Sequence, residues 1–451
     1  MPSPALRSLR ALWEETFRRG LTSPGFANFV VIASGWLLTQ GTHAVTEALV
    51  MTDVAARCHH EAFHRFFSRG TWSPDLLGRW IFSRIRAALC DAGVVRIVVD
   101  DTLAPKKGPH VFGIGSHLDA VRSTKKQKVF AFGHCWVTLA VLVRVPFSAR
   151  TWALPVLFRL YRTKKECERR NVPHRKKTDL AREMLDVFCA WVTDQRIELA
   201  ADSAYCNDTI TRDLPERVVL FGAMRPDAVL TDPPLMAPRS GQTGRPRKRG
   251  RLLRKPEQIA RDGRTPWKTT QATLYGRKTT VTFKTFCAQW YRATGTRLLR
   301  IVVVATDSAA MPYRVFFSFD STLDVATVLE SYAGRWGIEV FFREAKQLLG
   351  FADSRARKEA AVLRVAPLVG LLYSTLVVWF AEGVHRTTIA VPPVRPWYPH
   401  KQGLCFADIL RAARRALDGA EVLDPRRLSN DLQQLPTPSR SPERRPLNKA
   451  A

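Results

Sequence analysis

The sequence predicts an α/β protein, a mixed sheet with flanking helices behind an all-helical N-terminal region. Three observations predict it. VVRIVVDDT (94–102) is β-branched and nearly all apolar, the pattern of a central strand covered on both faces. RIELAADSAY (196–205) gives a second such strand after an amphipathic helix over 176–193, and the two runs end in Asp100–Asp101 and Asp202. Ahead of them, over residues 1–88, apolar residues recur three and four apart between Gly and Pro breaks.

The first 88 residues therefore read as short helices rich in Arg, His and aromatics, resembling a helix-turn-helix DNA-binding module. After VVRIVVDDT come HVFGIGSH (110–117), KVFAFGHCWVTLAVLVRVP (128–146) and WALPVLFRLY (152–161), neighbouring strands that are partly antiparallel. RVVLFGAMRPDAVL (217–230) adds a strand and turn. Residues 231–270 then lose all hydrophobic period and read as a loosely folded basic arm. Within it GRPRKRG (244–250), carrying Arg245, Arg247, Lys248 and Arg249, resembles arms that enter a narrow minor groove. A solvated basic loop and a phosphate-only contact are open readings of the same run. Strands at 273–286, 297–307 and 313–320 follow, then one long helix over 324–349 and another over 355–382. The tail, 430–451, reads as disordered.

Composition narrows the function. The chain has 451 residues, and its 46% apolar content suits a globular protein. Lys and Arg number 70 against 40 acidic residues, a formal charge of +30 that fits a polyanion, most simply nucleic acid. The charge is spread along the chain, which argues against a membrane-surface patch. Eight cysteines lack CxxC or zinc-ribbon spacing, so the chain reads as reduced and intracellular. The N-terminus shows no signal-peptide pattern. VAPLVGLLYSTLVVWFA (365–381), with Pro367 inside, reads as a buried core helix rather than a membrane span. His110, His117 and His134 match no common zinc spacing and read as structural.

Carboxylates that act on a phosphate backbone need divalent metal between themselves and the anion. Acids at the carboxyl ends of strands are placed for that work. A third acid comes from SYAGRWGIEVFFREAKQLLG (331–350). At 100° per residue, Tyr332, Arg335, Glu339, Arg343 and Lys346 fill one arc about 80° wide, with Phe341 opposite. Each feature alone has an ordinary reading: Arg335–Glu339 as a helical ion pair, the aspartates as turn residues. Together, in so basic a chain, they point to metal-dependent chemistry on nucleic acid.

YAGRWGIEVFFREAK resembles the Y-x2-R-x3-E-x6-K signature of DDE transposases in the IS4-related group, matching at Tyr332, Arg335, Glu339 and Lys346. DDT (100–102) resembles that family's first-aspartate block, in which the acid before Thr is catalytic, and this selects Asp101. ADSAY (201–205) resembles the second block and selects Asp202. DDT followed by Lys106, Lys107 and Gly108, then HVFGIGSH, is most similar to the IS701-like branch. The resemblance covers about residues 45–385.

The resemblance implies an RNase H-like core in two parts, 89–215 and 311–385, around a β-rich insertion at 216–310 with its basic arm at 239–270. A C-terminal extension occupies 386–451. It implies that Asp101, Asp202 and Glu339 are catalytic and bind two Mg²⁺, with Mn²⁺ as substitute. Tyr332, Arg335 and Lys346 would contact phosphates, with Arg343 and the arm residues beside them. Trp336 would stack on a displaced base or pack in the core. The implied activity is cleavage of transposon-end DNA and transfer of its 3′-OH to target DNA. The implied partners are double-stranded DNA at terminal inverted repeats, target DNA and a second copy in the synaptic complex, in a bacterial-type cytoplasm at the nucleoid. A non-transposing endonuclease on the same fold and an inactive end-binding protein are the alternatives.

Overall fold

The computed structural model describes residues 3–119, 121–124, 126–234, 248–397 and 403–418. Arg245, Arg247 and the 430–451 tail lie outside the described residues.

Helices α1 (Pro4–Phe17), α2 (Ser23–Leu38), α3 (Val45–Met51), α4 (Glu61–Ser68) and α5 (Pro74–Leu89) precede the first strand. Ser3 and Thr22 cap α1 and α2 by accepting backbone N–H bonds from Leu6 and Gly25. Both helices carry proline in the first turn, where a missing N–H costs nothing. These helices share one apolar core with the sheet. α5 presses on a strand so closely that a Cβ on Gly78 would lie 2.0 Å from the Val156 carbonyl oxygen.

The strands are β1 (Val94–Pro105), β2 (Gly115–Leu118), β3 (Phe130–Val145), β4 (Ser148–Tyr161), β5 (Arg196–Ala201), β6 (Val218–Met224), β7 (Lys268–Leu274), β8 (Arg277–Gln289), β9 (Leu298–Ala305) and β10 (Tyr313–Ser318). They form one ten-stranded sheet, ordered β2-β3-β1-β5-β6-β10-β9-β8-β7, with β4 paired to β3. β1, β5 and β6 run parallel and the remaining pairs are antiparallel. This mixed sheet with flanking helices, behind a helical N-terminal region, is the architecture of an RNase H-like core. β6, expected in the insertion, instead pairs parallel with β5, because its apolar run suits a position covered on both faces. β7, β8 and β9 extend the same sheet through β10. HVFGIGSH is strand only from Gly115, since Gly113 turns the chain at φ 70°.

Short helices α6 (Lys164–Arg169), α8 (Asp208–Thr211), α9 (Pro256–Arg261) and α10 (Tyr291–Thr294) fill connections. α7 (Lys177–Trp191) buries Leu180, Met184, Leu185 and Phe188. The single helix expected over 324–349 is two, α11 (Val325–Ala333) and α12 (Trp336–Leu348). At Gly334 the ladder tightens: Arg335 N–H bonds Tyr332 oxygen and Gly337 N–H bonds Gly334 oxygen. Gly337 then lets α12 approach β4, where an added Cβ would meet Thr151 oxygen at 3.1 Å. α13 (Glu359–Ala381) is the expected core helix, with 89% of its most apolar window buried. α14 (Phe406–Leu417) packs beside it.

Candidate active site

The parallel register pairs Val99 of β1 with Ala201 of β5, so Asp100 and Asp202 come next, side by side. β5 ends there because Asp202 caps a 3-10 turn, Ser203–Tyr205, accepting the Ala204 N–H. Side chains alternate along β1, so Asp100 and Asp101 point to opposite faces.

Asp100 and Thr102 meet α12. Arg335 donates through Nη1 to Asp100 at 3.0 Å and through Nη2 to Glu339 at 2.7 Å. Lys346 Nζ donates to Thr102 Oγ1 at 2.6 Å. The Arg335 guanidinium also lies 5.8 Å from the Tyr332 ring centroid. Arg335 and Lys346 thus reach β1 from α12, Glu339 is joined to it through Arg335, and Tyr332, at the end of α11, lies beside Arg335, while Arg343 is exposed. The Asp100 side chain is 17% exposed. Burial pushes its pKa up to about 7, Arg335 opposes the rise, and the Asp101 and Asp202 charges add to it. Burial likewise lowers Lys346 and raises Tyr332.

Asp101 faces away from α12. It accepts from Lys177 Nζ at 2.6 Å and from the Tyr205 hydroxyl at 2.7 Å. The acid beside Arg335 and Glu339 is therefore Asp100, whereas Asp101, which the DDT resemblance selects, lies on the opposite face. Strand alternation was legible in DDT. Which of the two faces α12 covers was not.

Trp336 is 48% exposed, so it is not a core residue. It stands edge-on to Tyr275, 6.3 Å between ring centroids. Tyr275 sits in the β7–β8 turn, where Tyr275 and Gly276 have φ 54° and 81°. Tyr275 and Tyr332 both line an open cavity of about 580 Å³. Lys248 and Arg249 are exposed, and the structure does not bring them to the acids; Arg249 lies over Tyr291, 5.7 Å away. Glu344 is buried, held by Arg150 at 3.0 Å and the Tyr373 hydroxyl at 2.8 Å.

A second cavity, of about 450 Å³, lies between α4 and the segment 354–358. Arg65, Arg69, Arg355, Arg357 and Lys358 line it, over Trp36 and Phe67. Lys106 ties this segment to β1, donating to the Ala352 and Ser354 carbonyls at 2.6 Å each. Burial lowers its pKa to about 8. Sequence reading missed RARK (355–358), a charge run too short to stand out in so basic a chain.

Asp100, Asp202 and Glu339 offer carboxylate oxygens, the donor type a hard divalent cation takes. Among the described residues no three acidic, His or Cys side chains stand close enough to hold an ion as arranged. Arg335 bridges Asp100 and Glu339 instead.

The fold is that of an RNase H-like α/β protein. The chain belongs to the DDE superfamily endonucleases, whose family pattern matches residues 17–294 and ends before α12. No curated protein matches it. Among solved structures it is similar to the piggyBac transposase in a synaptic complex with hairpin DNA, at TM-score 0.43 and 8% identity, over 93% of this chain and 78% of that one. A likeness that distant carries no weight for function.

Proposed function

We propose that the chain is a transposase that cuts transposon-end DNA and joins the freed 3′-OH to target DNA. The observation that carries this reading is the parallel register of β1 and β5, which sets Asp100 and Asp202 next in line after the Val99–Ala201 pair, with Glu339 joined to Asp100 through Arg335. Membership of the DDE endonucleases and the complete Tyr332–Arg335–Glu339–Lys346 spacing support it. Asp100, rather than Asp101, is the first acid of the set. Asp100, Asp202 and Glu339 would hold two Mg²⁺, or Mn²⁺. When bound, such ions activate water or a 3′-OH for attack on phosphorus and stabilise the leaving oxygen.

The protein groups supply orientation. Arg335 moves from its two carboxylates to a phosphate, to which its planar fork is matched. Lys346 and Tyr332 hold the same strand, and Arg343 adds an outer charge. Trp336 and Tyr275 offer faces on which an unpaired base stacks. The basic cavity beside α4 and the Lys248–Arg249 run take backbone phosphates further along the duplex. Two such chains would synapse two ends.

The test is cleavage and joining of end DNA with Mg²⁺, comparing wild type with Asp100→Ala, Asp101→Ala, Asp202→Ala and Glu339→Ala. Asp100→Ala, Asp202→Ala and Glu339→Ala should bind DNA and leave it uncut. Wild-type activity in any of them removes that residue from the set. Cutting without joining marks an endonuclease rather than a transposase.

A further inference from the structure

The acid on the other face of β1 lies away from Arg335 and Glu339, yet it is well held. One Asp101 oxygen accepts from the Tyr205 hydroxyl at 2.7 Å. The other accepts from Lys177 Nζ at 2.6 Å and from Cys135 Sγ at 3.3 Å. The donors come from three elements: the turn after β5, the first residue of α7, and β3. Burial and the adjacent carboxylate push the Cys135 thiol up to about 12, so it stays a neutral S–H donor. Lys177 balances the carboxylate charge.

Tyr205 is 2% exposed and lies three residues after Asp202. Asp202 opens the turn that Tyr205 closes, and spends one carboxylate oxygen on the Ala204 N–H. Ser203 and Ala204, between them, are exposed. The turn is therefore anchored at its far end by a phenol–carboxylate bond, which is stronger than a neutral one. Without that bond a buried hydroxyl would lose its partner.

We infer that Asp101 is a positioning residue for Asp202: it clamps Tyr205 and so fixes the turn that presents the Asp202 carboxylate beside Asp100. This rests on the reading of Asp100 and Asp202 as metal-holding acids. The two adjacent aspartates of DDT then divide one task, Asp100 as ligand and Asp101 as brace.

Tyr205→Phe removes the hydroxyl alone, and Asp101→Asn removes the charge. Full-length wild type, both single variants, the double variant and Asp202→Asn would be compared in three measurements: Mn²⁺ binding by calorimetry without DNA, single-turnover cleavage at saturating end DNA, and DNA affinity by anisotropy. Each single variant should lose about 10–100-fold in Mn²⁺ affinity and in cleavage rate, as loss of a support behind a metal ligand does. The double variant should be no worse than the worse single one. DNA affinity should hold, and raised Mn²⁺ should restore the rate, which a merely loosened fold would not allow. Wild-type Mn²⁺ binding by Tyr205→Phe, alongside loss in Asp202→Asn, overturns the brace and leaves the site reading standing. Complete, unrescued loss in Asp101→Asn with Tyr205→Phe unaffected overturns it too, by making Asp101 a ligand. Wild-type binding and cleavage by Asp202→Asn sinks the underlying reading instead. Should Asp101→Asn fail to fold, Tyr205→Phe carries the test alone.

Discussion

Replacing Asp100 by Asn should stabilise the metal-free protein at neutral pH, and by an amount that depends on pH. Unfolded, the Asp100 carboxyl titrates near its ordinary value of about 3.9. Folded, burial moves it up to about 7. Between those values the native state binds more protons than the unfolded state, so stability falls as pH rises. The slope approaches 1.4 kcal/mol per pH unit, and three units give up to about 4 kcal/mol by pH 7. Asp100→Asn lacks that titration, and because the raised value already includes the pairing with Arg335, loss of that pair is part of the same pH-dependent difference. Urea denaturation of both proteins, followed by tryptophan fluorescence without metal, should show wild type losing ground to the variant from about pH 4.5 to about 7.5. Added Mn²⁺ should restore wild type and leave the variant unmoved. Parallel stability curves across that range would refute the burial of an ionisable Asp100 beside Arg335.

Other perturbations separate structure from chemistry. Glu344→Ala strands Arg150 and the Tyr373 hydroxyl in the core and should cost about 3–5 kcal/mol in urea denaturation, whereas Glu339→Gln should leave stability nearly unchanged. Trp336→Ala, at a half-exposed site, should alter stability by less than about 0.5 kcal/mol yet weaken binding to an end with unpaired bases by about 1–3 kcal/mol, read by anisotropy. Arg355→Ala, Arg357→Ala and Lys358→Ala together should lower the slope of log K against log salt for duplex DNA by about 2–3, since each phosphate contact contributes about 0.9. An unchanged slope would take the basic cavity off the DNA path.

Some of this was legible in the residues, and some needed three dimensions. Local pattern sufficed where one physical cause acts: the apolar β1 run is a central strand, and 365–381 lies within a buried helix because nothing in it is polar enough to face water. The arc from Tyr332 to Lys346 survived the break at Gly334 because the tightened turn still brings Arg335 under Tyr332. Which of Asp100 and Asp101 meets α12 was hidden because it depends on which helix covers which face, a long-range fact. The burial of Glu344 was hidden likewise, because its partners, Arg150 and Tyr373, are far away in sequence. β6 went to the wrong neighbourhood because a parallel partner leaves no turn signal beside it.

The sheet order has a consequence for how this protein tolerates change. Val315 of β10 pairs with Met224 of β6, so the chain departs and returns at almost one point after a detour through residues 225–314. Paired strands hold those points about 5 Å apart whatever the length between them. Doubling or halving such a detour changes closure entropy by only about 0.6 kcal/mol. Closure alone therefore leaves the length of the excursion free, while β9, bonded to β10 and sharing the main core through Leu299, Ile301 and Val303, is moored to the shoreline that carries the acids.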